Sequence, residues 1–328
     1  MGIPENQEET YQRALSGGGL SPSDVPGLLT SMDVSPWDML GLAGRLREFR
    51  FRHHIDACSI INAKSGNCSE DCAFCAQSAH NHANVETYPL LPEDVIVETA
   101  RNAFDHGVRR FCIVTSGRGI DSDSDLGTIA RCIEKIRGIG IMPCATLGTL
   151  DKGQLKTLRD AGLNRFHHNI ETAKAYFPKV CTTHSYEERI ETLFTARDVG
   201  LSLCSGGIMG MGESMEDRSE MAFALRDVGV DSVPLNFLMP IPGTPLEGAG
   251  NMTPMEALKT IALFRFLLPD KEIRVCGGRM NALRDLHPLI FLAGANGLLM
   301  GDYLTTKGRG YEADLRMLSD LGLTLGYE

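Results

Sequence analysis

Short strand-like runs alternate with helix-like segments along most of the chain, and this alternation constrains the fold more than any other feature. Eight runs rich in β-branched and apolar residues lie at 58–64, 109–117, 140–148, 165–171, 201–210, 232–240, 272–280 and 297–304. Segments of helical period separate most of them, and several of these segments end in glycine, as helix C-termini often do. The pattern predicts an α/β fold, a complete (β/α)8 TIM barrel, with a doubly wound open sheet as the alternative.

The first 50 residues have a different pattern, which is polar and helical in period. Ser-Pro pairs at 21–22 and 35–36 suit the starts of helices, because proline is tolerated in the first turn. We therefore expect two parts, an N-terminal helical extension over 1–50 and the barrel over 51–328.

Three cysteines lie close together in SGNCSEDCAFCAQS, residues 65–78, directly after the first predicted strand. Cys68, Cys72 and Cys75 have the spacing C-x3-C-x2-C, at the barrel face where catalytic loops lie. A zinc site would need another ligand, and the candidates are His53, His54, His80 and His82. Alternatively, three thiolates hold a four-iron cluster and leave one iron open for a small molecule.

This spacing resembles the cysteine motif of the radical S-adenosylmethionine (SAM) enzymes, including the aromatic residue, Phe74, before the third cysteine. The resemblance implies that Cys68, Cys72 and Cys75 bind a [4Fe–4S] cluster whose open iron holds SAM. It also implies reductive cleavage of SAM to a 5′-deoxyadenosyl radical.

A second set of cysteines lies inside the predicted strands. Cys112, Cys144, Cys204 and Cys276 each fall in a different strand, and Arg274 precedes Cys276 by two residues, on the same face. A single buried cysteine is an ordinary small apolar residue. Four at similar depths favour an interior site.

Several longer segments are similar to the biotin synthase family of radical SAM enzymes. They include RFCIVTSGRG, MPCATLGTL, SVPLNFLMPIPGTPL, GANGLLMGDYLTT and the long block that begins HHNIETAKAYF, all in order over roughly residues 45–325. The resemblance implies a closed barrel and insertion of sulfur into dethiobiotin. An auxiliary iron–sulfur cluster inside the barrel is then the sulfur donor.

The resemblance assigns Cys112, Cys144 and Cys204 as catalytic ligands of this auxiliary cluster, and Arg274 as the arginine that completes a [2Fe–2S] form. Cys276 departs from the family, where serine is typical. Because thiolate binds iron better than a guanidinium does, we expect Cys276 to join the ligands of a four-iron type of cluster. The remaining cysteines, Cys58, Cys132 and Cys181, are interpreted as structural or incidental.

The resemblance also implies residues for SAM and substrate. Asn169, Glu171, Arg189 and Ile208 match the SAM-binding positions of the family. Substrate-binding positions match Asn169, Asn236, Thr305 and Thr306. His167 is a second departure, since asparagine is common there, and it bears on substrate choice.

Charge and composition limit the kinds of binding partner and the cellular compartment that we expect. The formal net charge of −10 argues against nucleic acid, and the sequence shows neither a signal peptide nor a membrane span. Ten cysteines without such a signal favour the cytoplasm. The family implies a flavodoxin or ferredoxin type of electron donor, iron–sulfur assembly proteins and a homodimer.

Other functions remain open at this point. Hydrogenase-maturation enzymes and methylornithine synthase share the barrel and the cysteine loop, but are not expected to have Cys112, Cys144 and Cys204 together. A non-enzymatic iron–sulfur carrier or electron-transfer protein is another possibility, although carriers are usually small and expose their cluster. A zinc-stabilised binding module is the third.

Overall fold

A closed parallel β-barrel forms the centre of the molecule. The computed structural model describes residues 5–16 and 18–326. Its strands are β1 (His54–Lys64), β2 (Arg110–Thr115), β3 (Met142–Thr146), β4 (Arg165–His167), β5 (Ser202–Cys204), β6 (Gly207–Met209), β7 (Ser232–Phe237), β8 (Glu272–Val275), β9 (Gly297–Leu299) and β10 (Thr324–Leu325). All the pairings are parallel, and β1 pairs with β9 to close the sheet. The prediction of a complete barrel is confirmed, and the open sheet is excluded.

Eight strand positions make up the barrel, because β5 and β6 are two parts of one interrupted strand. β5 pairs with β4 and β7, while β6 continues beside β7 after a break at 205–206. β10 lies outside the barrel and pairs only with the start of β1. Each of the eight predicted runs overlaps one of these strand positions.

Helices surround the barrel. They are α1 (Glu5–Ser16), α2 (Val25–Val34), α3 (Pro36–Phe51), α4 (Glu93–Asp105), α5 (Asp123–Ile139), α6 (Lys152–Asp160), α7 (Tyr186–Asp198), α8 (Met215–Val228), α9 (Pro254–Leu267), α10 (Arg279–Leu283), α11 (Leu289–Leu292) and α12 (Tyr311–Asp320). Short 3-10 turns lie at Pro22–Asp24, Phe177–Lys179 and Arg284–Leu286.

The three N-terminal helices cover one side of the barrel. α3 packs on α9, and the residues from Ala257 to Leu267 are nearly all buried, which explains why α9 is apolar around most of its circumference. Gly44 allows α3 to approach α11, since a Cβ there would lie 2.6 Å from the Leu292 carbonyl oxygen. The division at residue 50 stays a prediction, and α3 ends at Phe51.

Within the described residues, the helices are all too short or too polar to span a lipid bilayer.

Candidate active site

One cavity of about 340 Å³ lies at the carboxyl ends of the barrel strands and extends into the barrel. This is the face at which barrels of this type carry their catalytic residues. Residues from both predicted thiol sets line it. From the loop after β1 comes Cys75, and from the interior come Cys58, Cys112, Cys144, Cys204 and Cys276.

The cysteine loop, residues 65–81, is closed by hydrogen bonds to its own backbone. Asn81 donates from Nδ2 to the carbonyl oxygens of Cys72 (3.1 Å) and Cys75 (2.8 Å). The amide of Cys68 donates to the carbonyl of Gln77, and the amide of Ala79 donates to that of Cys68. These bonds hold the three cysteines on one compact turn. Sequence reasoning did not identify Asn81, since a lone asparagine in a loop has many possible partners.

The loop thiols suit a cation. Burial raises the pKa of the Cys75 thiol to about 11, and contact with Cys181 together with burial raises the pKa of the Cys72 thiol. Without a metal these two thiols therefore favour the protonated form. A bound metal reverses this, because it stabilises the thiolate directly. Three thiols on one loop therefore fit a three-ligand iron–sulfur cluster.

A further group of side chains lies behind Cys72. The Cys72 sulfur, the Cys181 sulfur and a His184 ring nitrogen lie within 4.8 Å of one another. Cys181 contacts Asp71 (3.1 Å) and His184 (3.3 Å). The sequence alone leaves Cys181 as a structural or incidental cysteine, and the fold places it beside the cysteine loop.

Four of the five interior thiols pack together. Cys58, Cys112, Cys144 and Cys276 belong to one group of buried side chains, and Cys204 lies beside Cys144 and Cys276 on the same cavity. Burial raises the pKa of the Cys58, Cys112 and Cys204 thiols, and it raises that of Cys276 to about 11. Five buried thiols around one space form a donor set that fits an iron–sulfur cluster.

Buried ion pairs form the floor of the barrel below these thiols. Asp56 contacts Arg274 and lies 3.9 Å from Arg110. Glu272 accepts from Arg165 at 2.5 Å and lies 3.4 Å from Arg274. We call these five residues the floor network. Sequence reasoning named only Arg274 among them, because the others are far apart in the chain and unremarkable in composition.

Arg274, expected as an iron ligand, has two carboxylates as partners in this network. Its Nη2 reaches both Asp56 and Glu272, and its side chain is only 3% exposed. The residue also lines the cavity. Its guanidinium is thus a buried cation next to the thiols.

The predicted SAM residues form a connected wall. Arg189, in the first turn of α7, donates to the Asn169 carbonyl (2.8 Å) and lies 3.6 Å from the Glu171 carboxylate. Its Nε also donates to His184 Nε2 (2.8 Å). Asn169 in turn reaches Glu171 (3.4 Å) and accepts from the amide of Gly206 (3.1 Å). The structure therefore brings Asn169, Glu171 and Arg189 together.

Glu171 has an unusual backbone, with φ of 67°, in the left-handed region. Its carbonyl accepts from the Ile208 amide, and a Cβ on Gly207 would lie 2.1 Å from that carbonyl oxygen. Only glycine permits this approach. Burial raises the pKa of the Glu171 carboxyl.

The other predicted substrate residues lie on the neighbouring strand β7 and at the rim of the cavity. Asn236 donates to the Gly207 carbonyl (3.2 Å) and accepts from the Gly277 amide (2.9 Å), which orients its amide group. Ile208 lines the cavity and packs near Phe74. Thr305 and Thr306 lie at the rim, Thr305 being exposed and Thr306 half-buried.

His167 also faces the cavity, next to Cys204 across the β4–β5 pair. Burial lowers the pKa of its imidazole to about 4. At neutral pH it is therefore an uncharged hydrogen-bonding group, which resembles asparagine in that respect.

Comparison with known proteins agrees with this site. Residues 63–225 match the radical SAM superfamily, and residues 234–324 match the biotin and thiamin synthesis associated domain. The closed barrel, the three-cysteine loop and the first match define a radical SAM enzyme, a class whose cofactors are a [4Fe–4S] cluster and SAM.

Two relatives of high sequence identity show which family within this class the chain belongs to. The chain is 49% identical over 319 residues to a biotin synthase of Geobacter sulfurreducens, covering 97% of each chain. It is 48% identical over 316 residues to a biotin synthase of Heliobacterium modesticaldum, covering 96% of this chain and 97% of the relative. The chain therefore belongs to the biotin synthase family.

Solved structures of similar fold include a methylornithine synthase (TM-score 0.83, 20% identity, 97% of each chain covered). They also include the [FeFe]-hydrogenase maturase HydG (TM-score 0.84, 14% identity, all of this chain and 76% of that chain). At these identities the likeness shows the shared barrel only.

Proposed function

We propose that this protein converts dethiobiotin to biotin by radical sulfur insertion. The observation that carries the proposal is a single cavity lined at its mouth by a three-cysteine loop and inside the barrel by five further thiols. A substrate in this cavity lies between the two thiol sets. That position excludes solvent from a reactive carbon radical and limits which hydrogens are within reach.

Each thiol set has its own part in the proposal. SAM bound at the cluster of Cys68, Cys72 and Cys75 supplies the 5′-deoxyadenosyl radical, and the inner cluster supplies sulfur. Cys112, Cys144 and Cys204 bind the inner cluster. Cys276 faces the same space, and its predicted role as a further ligand of a four-iron cluster stays a prediction.

The SAM wall is preorganised by the protein. Arg189 is held by the Asn169 carbonyl and His184, so its remaining guanidinium surface is positioned for the carboxylate of SAM. The Asn169 and Glu171 side chains offer an amide and a carboxyl for the ribose hydroxyls. Ile208 supplies an apolar surface for adenine.

Substrate recognition follows from two asparagine side chains on the cavity wall and two threonines at its rim. Asn236 and Asn169 each provide a donor and an acceptor for the ureido ring of dethiobiotin. Thr305 and Thr306 at the rim are assigned to its carboxylate. His167, uncharged at neutral pH, takes the third polar position.

The remaining partners follow from this chemistry. SAM cleavage needs a one-electron donor of flavodoxin or ferredoxin type, and a sacrificed inner cluster needs iron–sulfur assembly proteins to rebuild it. A cytoplasmic location, where thiols stay reduced, and a homodimer complete the proposal.

The test is an anaerobic assay of protein whose inner cluster carries ³⁴S sulfide, incubated with SAM, reductant and dethiobiotin. We expect 5′-deoxyadenosine together with ³⁴S-labelled biotin by mass spectrometry. Deoxyadenosine without biotin would reject the substrate and retain the radical chemistry. Biotin without the label would reject the inner cluster as sulfur source.

A further inference from the structure

Cys58, on β1, is a buried thiol to which the sequence assigned no function. Its side chain is 4% exposed and lines the same cavity as Cys112, Cys144 and Cys204. It also packs with Cys112, Cys144 and Cys276 in one group of buried side chains. The depth of Cys58 inside the barrel shows which of these thiols lie level with it.

Strand register places Cys58 in one interior layer with Cys144 and Cys204. A layer inside a barrel takes one side chain from every second strand. Because the strands are tilted, the residue in the layer lies further towards the carboxyl end of each successive strand than the paired register alone would place it. Through the paired residues of β1, β2 and β3, Cys58 lies level with Met142, which is two residues before Cys144. Across the next two strands, Cys144 corresponds to Ser202, two residues before Cys204. The same step thus connects all three thiols.

The fourth position of the layer is Arg274. Across two further strands, Cys204 corresponds to Glu272, two residues before Arg274. Cys276 lies two residues beyond Arg274 and so belongs to a layer nearer the mouth. Cys58 is therefore at the depth of Cys144 and Cys204, whereas Cys276 is not.

Arg274 is poorly suited to bind iron here. Its guanidinium contacts Asp56 and Glu272, and a guanidinium paired with carboxylates remains protonated and has no lone pair for a metal. Within this layer the iron ligands available are the thiols. Cys112, from the adjacent strand β2, brings their number to four.

The charges of the floor network favour four thiolates. The network contains three arginines and two carboxylates, so it has one excess positive charge beside and below the thiols. Arg110 lies at the level of Cys58 on the neighbouring strand. An anionic, thiolate-bound group above this floor is electrostatically compensated.

We propose that Cys58 is the fourth thiolate ligand of the inner iron–sulfur cluster, with Cys112, Cys144 and Cys204, and that Arg274 is its counter-cation. This inference rests on the proposed function only in assuming an inner cluster. It assigns Cys58 the ligand position that the sequence assigned to Cys276.

The test compares Cys58→Ala with Cys276→Ala in anaerobically reconstituted full-length protein without dethiobiotin. Iron and acid-labile sulfide per chain and ⁵⁷Fe Mössbauer spectra report the inner cluster. The SAM-dependent electron paramagnetic resonance signal of the outer cluster shows that each variant is folded. Cys132→Ala is the matched control, because Cys132 is a buried thiol on α5, outside the barrel.

We expect Cys58→Ala to lose most inner-cluster iron and sulfide while keeping the outer-cluster signal, and Cys276→Ala and Cys132→Ala to keep both. Loss in Cys58→Ala and Cys276→Ala alike still supports Cys58 and adds Cys276 as a ligand. Wild-type iron, sulfide and Mössbauer parameters in Cys58→Ala would overturn the proposal.

If Cys58→Ala does not fold, Cys58→Ser decides the question through its Mössbauer spectrum. A spectrum altered at one iron site supports ligation, and an unchanged one overturns it. Failure of the wild-type protein to form biotin would refute the proposed function, but it would leave these metal measurements as they are.

Discussion

At the residue scale, Asn81 shows how one side chain organises a loop. Its amide group donates to the backbone carbonyls of two of the three loop cysteines. Each such hydrogen bond contributes about 1 kcal/mol. Without them, Cys72 and Cys75 would have to be ordered by the metal itself, at an entropic cost to cluster binding.

We predict that Asn81→Ala lowers the occupancy and raises the lability of the SAM cluster. Iron per chain and the rate of iron loss to a chelator would measure this. Asn84→Ala, an exposed asparagine three residues away, is the control and should behave as wild type. Equal iron loss from Asn81→Ala and wild type would contradict the role given to Asn81.

At the element scale, the N-terminus of α7 positions the SAM wall. Ser185 caps the helix by accepting from the Glu188 amide (3.2 Å), and Glu188 accepts in return from the Ser185 amide (2.7 Å). This capping box fixes the first turn, from which Arg189 reaches Asn169 and His184.

We predict that Ser185→Ala costs about 1 kcal/mol of stability and weakens SAM binding, because the first turn of α7 frays. Thermal unfolding and equilibrium dialysis with SAM measure the two effects. Ser122→Ala removes the corresponding cap from α5 and should cost similar stability with unchanged SAM affinity. Identical SAM affinities in both variants would show that the cap does not position Arg189.

At the scale of the whole molecule, the barrel depends on charges buried in its floor. Asp56 faces both Arg110 and Arg274 from the strand that closes the barrel. Removing a carboxylate there leaves buried cations with less compensation, which is more costly than losing an exposed ion pair.

We predict that Asp56→Asn lowers the free energy of unfolding by about 3–5 kcal/mol. Urea unfolding under anaerobic conditions would measure it. Asp121→Asn is the control, since Asp121 pairs with Lys64 but its side chain is 70% exposed, and its loss should change stability by less than about 0.5 kcal/mol. Equal effects of the two substitutions would argue against an essential floor network.

Stability should also depend on pH through His287. Burial, Arg279 and Arg309 lower the pKa of this imidazole to about 4, while Asp285 opposes the shift. The unfolded chain, with a histidine pKa near 6.5, then binds an extra proton between these values. The contribution of His287 to stability is therefore greatest above pH 6.5 and falls as the pH decreases towards 4.

For this histidine alone, we predict a loss of about 1 kcal/mol between pH 7 and pH 5.5. The measurement is the free energy of unfolding across that range for wild type and His287→Gln. The variant should show a shallower decrease, and parallel curves would remove His287 as the cause.

Local patterns in the sequence are enough for the strands, the cysteine loop and most of the cavity wall. Short runs of apolar and β-branched residues mark the eight strands, because the strands of a parallel barrel are buried on both faces. The C-x3-C-x2-C spacing brings Cys68, Cys72 and Cys75 onto one loop. Asn169 and Glu171 likewise share a strand end.

Only the tertiary structure decides the depth at which each interior side chain lies. Cys58 and Cys276 look alike in the sequence, each within or beside a strand, yet closure of the barrel places them in different layers. That difference depends on register accumulated over eight strands, which no local pattern contains. The floor network has the same origin, since Asp56 meets Arg274 only because β1 and β8 both flank β9 in the closed sheet.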